Sequence, residues 1–235
     1  MKMKFIYSAI VLVFFASSIN TYGVSEKKET RKVASFSELG LSISADVYIS
    51  QGNNTELIIE GDENTIEHIE TEVSGGKLKI TYDTRNTWKY KKVKIYISSP
   101  TWEGIYVAGS GNITNQTAIE GKEMDIAVSG SGDITIDDLK ATKIGIRISG
   151  SGDISLKGQD KTESLGIGIS GSGDVDASGI LTDAVKVRIS GSGGAKVYAE
   201  TELEVSISGS GSVYYKGSAL IDAHISGSGK VKNFE

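Results

Sequence analysis

An all-β chain wound as a parallel β-helix or solenoid is the fold this sequence predicts, and three observations carry the prediction. A Gly-Ser-Gly triplet begins at Gly109, Gly130, Gly150, Gly171, Gly191, Gly209 and Gly227, in steps of 21, 20, 21, 20, 18 and 18 residues. A recurrence of about 20 residues is the period of a stacked architecture in which each copy buries its apolar face against its neighbours. Around every triplet, apolar and polar residues alternate with period two, the pattern of a strand with one buried and one wet face. Finally, the 235 residues contain 29 Gly, one Pro and no Cys, which suits strands joined by frequent tight turns rather than a disordered or disulfide-stapled chain.

Aligned on the first Gly, the copies fall into columns. Two residues before it stand Val107, Val128, Ile148, Ile169, Ile189, Ile207 and Ile225; four before it stand Ile105, Ile126, Ile146, Ile167, Val187, Val205 and Ala223. Four after it come Ile113, Ile134, Ile154, Val175, Ala195, Val213 and Val231. These are the expected core. The glycines supply a tight corner, through positive φ and close backbone approach. No Gly-Lys-Ser/Thr pattern and no helix follows any triplet, so a phosphate cradle is not implied. The same pattern also fits an antiparallel array in which each triplet is a hairpin turn. The near-identity of the copies favours the solenoid, because only stacking rewards the same residue in the same column.

In chain order, residues 1–23 read as a signal peptide. Lys2 and Lys4 precede an apolar run from Phe5 to Ala16, and small residues follow it. The run is short for a transmembrane span. With no Cys for lipidation, export to the periplasm, the cell surface or the medium is expected, with no transmembrane span after cleavage. Residues 24–32 form a charged stretch (Glu26, Lys27, Lys28, Glu29, Arg31, Lys32), expected to be a mobile linker. Residues 33–235 form a single domain, with a β-rich lead-in over 33–104 and the repeats over 105–231. In the lead-in, strands are expected at Leu41–Ile49, Glu56–Glu60, Lys77–Tyr82 and Val93–Ser98. One short helix is expected over Asp62–Glu70, capped by Asp62, with Ile66 and Ile69 on its apolar stripe, closing one end of the stack.

The lead-in, the stretch Val107-Ala108-Gly109-Ser110-Gly111-Asn112-Ile113 and the later Ser-Gly-Ser-Gly-Asp-Ile/Val copies together resemble the putative auto-transporter adhesin, head GIN domain family of Bacteroidetes-type bacteria. The resemblance spans about Val33 to Val231. It implies an exported β-helical protein with an adhesin-like role and carries no catalytic residues.

Candidate chemistry lies on the outward columns. Three residues after the first Gly come Asn112, Asp133, Asp153, Asp174, Gly194, Ser212 and Lys230. Stacked Asp133, Asp153 and Asp174 could hold calcium between turns, since carboxylate oxygens suit hard cations. Alternatively they hydrogen-bond backbone beside the Gly turn. Three residues before the first Gly the column reads Tyr106, Ala127, Arg147, Gly168, Arg188, Ser206, His224, and Arg147 and Arg188 are expected to face Asp153 and Asp174. Arg85, Trp88, Lys89 and Tyr90 interleave aromatics with cations and are the candidate ligand surface, for stacking on sugars or meeting anionic polymers. An edge strand guarded by Lys is the plainer reading of that segment.

His68 and His224 are the only histidines, and neither has a nucleophile or metal-spaced partner in sequence. No insertion interrupts the repeats to build a cleft. The expected function is therefore a non-enzymatic binding or adhesion module for glycan or cell-envelope partners, with no catalytic residue and no cofactor other than that calcium. The alternatives are a self-associating structural envelope protein, hence a possible homo-oligomer, and a calcium-dependent enzyme acting on polysaccharide. A net charge of −5 argues against nucleic acid as a partner.

Overall fold

The computed structural model describes residues 26–83 and 90–234. It is a β-solenoid of about six turns, with 71% of the chain in strands and one short helix. The elements are β1 Glu26–Arg31, β2 Glu38–Leu41, β3 Ala45–Gln51, β4 Glu56–Asp62, α1 Glu63–Glu67, β5 Ile69–Ser74, β6 Lys77–Tyr82 and β7 Val93–Ser99. They continue with β8 Gly104–Gly109, β9 Asn112–Asn115, β10 Ile119–Gly130, β11 Ile134–Asp137, β12 Leu139–Gly150 and β13 Ile154–Lys157. The last six are β14 Thr162–Gly171, β15 Val175–Gly191, β16 Gly194–Gly209, β17 Ser212–Lys216, β18 Leu220–Gly227 and β19 Lys230–Asn233.

The repeats pair in parallel and in register, so the hairpin array is excluded. Gly130 aligns with Gly150, Gly150 with Gly171 and Gly171 with Gly191, and Ile126, Ile146 and Ile167 stack in the same way. The strand before each triplet belongs to one face, running β6, β2, β8, β10, β12, β14, β15, β16, β18. The strand after it belongs to a second face, running β7, β3, β9, β11, β13, β15, β16, β17, β19. Inward columns are nearly sealed: Ile105, Ile146, Val187 and Val205 are 0–2% exposed.

The two glycines of a triplet do different work. Gly150 has φ +137°, a backbone conformation closed to most side chains. Gly152 has no such requirement; a Cβ there would lie 2.1 Å from the Gly132 carbonyl oxygen. The first makes the corner, and the second lets successive corners stack.

The lead-in joins the stack rather than merely resting on it. Leu41 pairs with Val107, and Val47 with Ile113, so β2 and β3 form a turn of the same solenoid. Ser42-Ile43-Ser44-Ala45 stands where the repeats carry Ala108-Gly109-Ser110-Gly111, which is why the expected continuous strand Leu41–Ile49 is broken at the corner. Beyond it, β6 and β7 form a further turn, and there the pattern ends: β4 pairs antiparallel with β7, β1 with β4, and β5 with β6.

The charged segment expected to be a mobile linker is β1, and this corrects that expectation. Its Arg31 reaches across to donate to the carbonyls of Ile66, in α1, and Ile69, at the start of β5. The helix is also shorter than expected, Glu63–Glu67. Asp62 caps it by accepting from the Thr65 N–H, whereas Ile69 and Glu70 belong to β5. Ile66 is fully buried, so α1 helps to close this end. At the opposite end β18 and β19 are the last strands, and Tyr215 packs part-buried against the core there. The expected signal peptide lies outside the described residues.

Candidate functional site

The outer surface of the first face is set by side chains at odd offsets from each triplet. One residue before the first Gly, Ser129, Ser149, Ser170, Ser190 and Ser208 form an exposed hydroxyl row. Three and five residues before it, the columns carry Arg147 and Gly145 on β12, Gly168 and Gly166 on β14, and Arg188 and Lys186 on β15. A pleated strand normally projects a side chain at each of these positions. On β14 it projects none. A Cβ at Gly166 would meet nothing within 4 Å, and one at Gly168 would only reach the Ile146 carbonyl at 3.9 Å. The result is a groove of about 760 Å³ floored by β14 backbone. Arg147 and Arg188 wall it, two strand spacings or about 10 Å apart.

Both guanidiniums remain available to a ligand. Arg147 lies 3.9 Å from Asp125 and Arg188 lies 3.8 Å from Glu204, both long contacts made by guanidiniums that are mostly in water. Pairs of this kind contribute little and yield readily to a better-placed anion. Glu204 is also held by Lys186. The expected pairing of Arg147 and Arg188 with Asp153 and Asp174 is therefore corrected: the Gly corner sends the Arg and Asp columns to different faces, and each Arg finds its acid within its own face.

Asp133, Asp153 and Asp174 do stack, and their carboxylates act on the neighbouring turn. The Asp153 N–H donates to Asp133 Oδ1 at 2.9 Å, the Asp174 N–H to Asp153 Oδ1 at 2.8 Å, and the Gly194 N–H to Asp174 Oδ1 at 2.6 Å. Asn112 holds the Asp133 N–H in the same way at 3.3 Å and donates through Nδ2 to Asp46, which Lys92 neutralises at 2.6 Å. Each side chain thus supplies an acceptor to an N–H just past a corner. Among the described residues no group of three or more His, Cys, Asp or Glu is arranged to hold a metal ion.

Of the other candidates, Arg85, Trp88 and Lys89 lie outside the described residues. Tyr90 is part of the capped end: its ring stacks on Tyr82 at 3.9 Å and its hydroxyl donates to the Asp83 carbonyl. Burial raises the Tyr82 phenol above its ordinary range, with the Tyr90 hydroxyl adding to the rise. His68 sits at the C-terminal cap of α1 with Nδ1 2.6 Å from the Asn64 carbonyl oxygen.

The groove was missed in the sequence, although its signal is there. Gly166 and Gly168 fall on outward strand positions, where neither a corner nor close packing calls for Gly.

Comparison with known proteins agrees with the fold. The family described as "Putative auto-transporter adhesin, head GIN domain" matches residues 35–219. A crystal structure of a putative adhesin from Bacteroides fragilis is similar at 27% identity and TM-score 0.84, over 89% of this chain and 97% of that one. One of a putative lipid binding protein from Parabacteroides distasonis is similar at 25% identity and TM-score 0.76, over 89% and 97%. A putative adhesin from Parabacteroides merdae, at 19% identity and TM-score 0.72 over 89% and 96%, shares the fold. No curated protein matches the chain.

Proposed function

Because the chain belongs to the putative auto-transporter adhesin, head GIN domain family, we propose that it is a non-enzymatic, adhesin-like binding module of the cell envelope, exported by residues 1–23. The ligand is an acidic glycan, and it lies in the groove between Arg147 and Arg188. One observation carries this reading: β14 withdraws every side chain from the strip between two exposed guanidiniums. A flat floor of backbone admits a sugar chain, the row of serine hydroxyls offers hydrogen bonds to its hydroxyls, and a carboxylate or sulfate suits the planar guanidinium fork.

The relative described as a lipid binding protein suggests a second reading, in which the anion is a lipid headgroup. The solenoid interior is filled by Ile and Val columns, so an acyl chain would have to lie on the surface. That favours the glycan. The aspartate ladder takes a structural part in this proposal, and calcium is not required.

The test is binding of the purified protein to an array of acidic and neutral glycans beside anionic vesicles. Binding to acidic glycans that is lost in Arg147→Ala/Arg188→Ala and in Gly168→Glu supports the proposal. Gly168→Glu puts a carboxylate into open space, so it changes the groove without straining the fold. Binding that survives both variants, or is confined to vesicles or neutral glycans, overturns the assignment, as does no binding at all.

A further inference from the structure

The two ends of the solenoid differ in kind. At one end β1 and β5 are the outer strands, each antiparallel to the strand it pairs with and studded with Glu26, Lys27, Lys28, Glu29, Glu70 and Glu72. Such charged edges resist pairing with another chain. At the other end β18 continues the parallel register of β16, with Ile221 on Leu203, Ala223 on Val205 and Ile225 on Ile207. Leu203, Val205 and Ile207 are at most 1% exposed, whereas Ile221 and Ile225 are 43% and 39% exposed. The core columns run to this end and stop uncovered, and among the described residues no strand lies beyond β18.

We propose that this end is a dimerisation surface, on which β18 of a second copy pairs antiparallel about a two-fold axis through Ala223. The capped end offers no complementary edge, so a head-to-tail filament has no second half-site; two open ends can close on each other. The sequence of β18 is self-complementary in this register alone. Ile221 meets Ile225 of the second copy, Ala223 meets Ala223, and Asp222 meets His224 on the outer surface. A shift one way places Asp222 against Asp222, and the other way His224 against His224, while odd shifts turn the isoleucines away from the core. The axis also sets the two β19 strands on opposite sides, so Lys230 and Lys232 do not meet their copies. In the pair, two cores become one continuous column. The proposal does not depend on the ligand of the groove.

The experiment is sedimentation equilibrium of the full chain and of three outward-facing variants, Asp222→His, His224→Asp and the exchange Asp222→His/His224→Asp. A two-fold dimer is expected for the parent chain. Each single variant sets like charges or two imidazoles opposite each other and should weaken association about tenfold, while the exchange should restore it, because the cross-strand pairs are regenerated in reverse. A monomer at the highest soluble concentration, a higher oligomer, or a dimer indifferent to these changes overturns the proposal.

Discussion

The backbone N–H of Asp174 donates to Oδ1 of Asp153 at 2.8 Å, and the N–H of Asp153 donates to Oδ1 of Asp133 at 2.9 Å. One oxygen per residue is all that this ladder uses, and Asn112 occupies the same column with the same acceptor role. Asp153→Asn should therefore leave stability within about 0.5 kcal/mol of the parent. Asp153→Ala deprives the Asp174 N–H of its partner and should cost about 1 kcal/mol. Urea midpoints of the two variants, with and without calcium, check this. A midpoint that rises with calcium in the parent and not in Asp153→Asn would assign the column to a cation instead.

The second glycine of a triplet is demanded by contact. In Gly152→Ala the new methyl would lie 2.1 Å from the Gly132 carbonyl oxygen and 2.8 Å from Val128 Cγ1. The corners must part, and a loss of about 1–3 kcal/mol is expected. Gly166→Ala, in the open groove, should be neutral or stabilise by up to about 1 kcal/mol, because it restricts the unfolded chain without a clash. Thermal unfolding of the pair separates glycines kept for stacking from those kept for the surface.

Asp138 follows β11 with φ +75°, the only non-glycine among the described residues with positive φ, and its buried Oδ1 has no hydrogen-bond partner. Asp138→Gly should stabilise the protein by about 1 kcal/mol, relieving both the left-handed backbone and the orphaned oxygen. A lower melting temperature for this variant would contradict that account.

The Asp62 carboxylate caps α1 and accepts from Lys91 Nζ at 2.9 Å. The hydrogen bond from Lys91 holds its pKa below the ordinary 3.8, against the opposing effect of burial and with help from the Thr65 N–H. A carboxyl with a depressed folded pKa contributes stability that is present above its unfolded value and lost as pH falls through the folded one. The capped end should therefore loosen in acid, below about pH 3.8. Carbon NMR titration should place the Asp62 midpoint below 3.8 in the parent and higher in Lys91→Met.

The repeats were legible because their physics is local. Alternation about each Gly-Ser-Gly triplet names the inward residues, and a glycine pair repeated every 18–21 residues implies a recurring corner. The turn built from β2 and β3 escaped notice because Ser42-Ile43-Ser44-Ala45 makes its corner without glycine; only the pairing of Leu41 with Val107 reveals it. Strand β1 escaped for a different reason. Charge and the lack of apolar alternation predict a linker, and its order comes from pairing with β4 and from Arg31 binding the carbonyls of Ile66 and Ile69, contacts 35 and 38 residues away.

By itself, then, the sequence determined an all-β stack with its period, its core columns and its aspartate column, since each of these follows from nearest-neighbour spacing along the chain. Tertiary structure alone decided which columns share a face. That choice gave Arg147 to Asp125 and Arg188 to Glu204, left the β14 glycines as the floor of a groove, and sealed one end while leaving Ile221 and Ile225 bare at the other. These are relations between turns, set by where each corner redirects the chain, and no window along the sequence contains them.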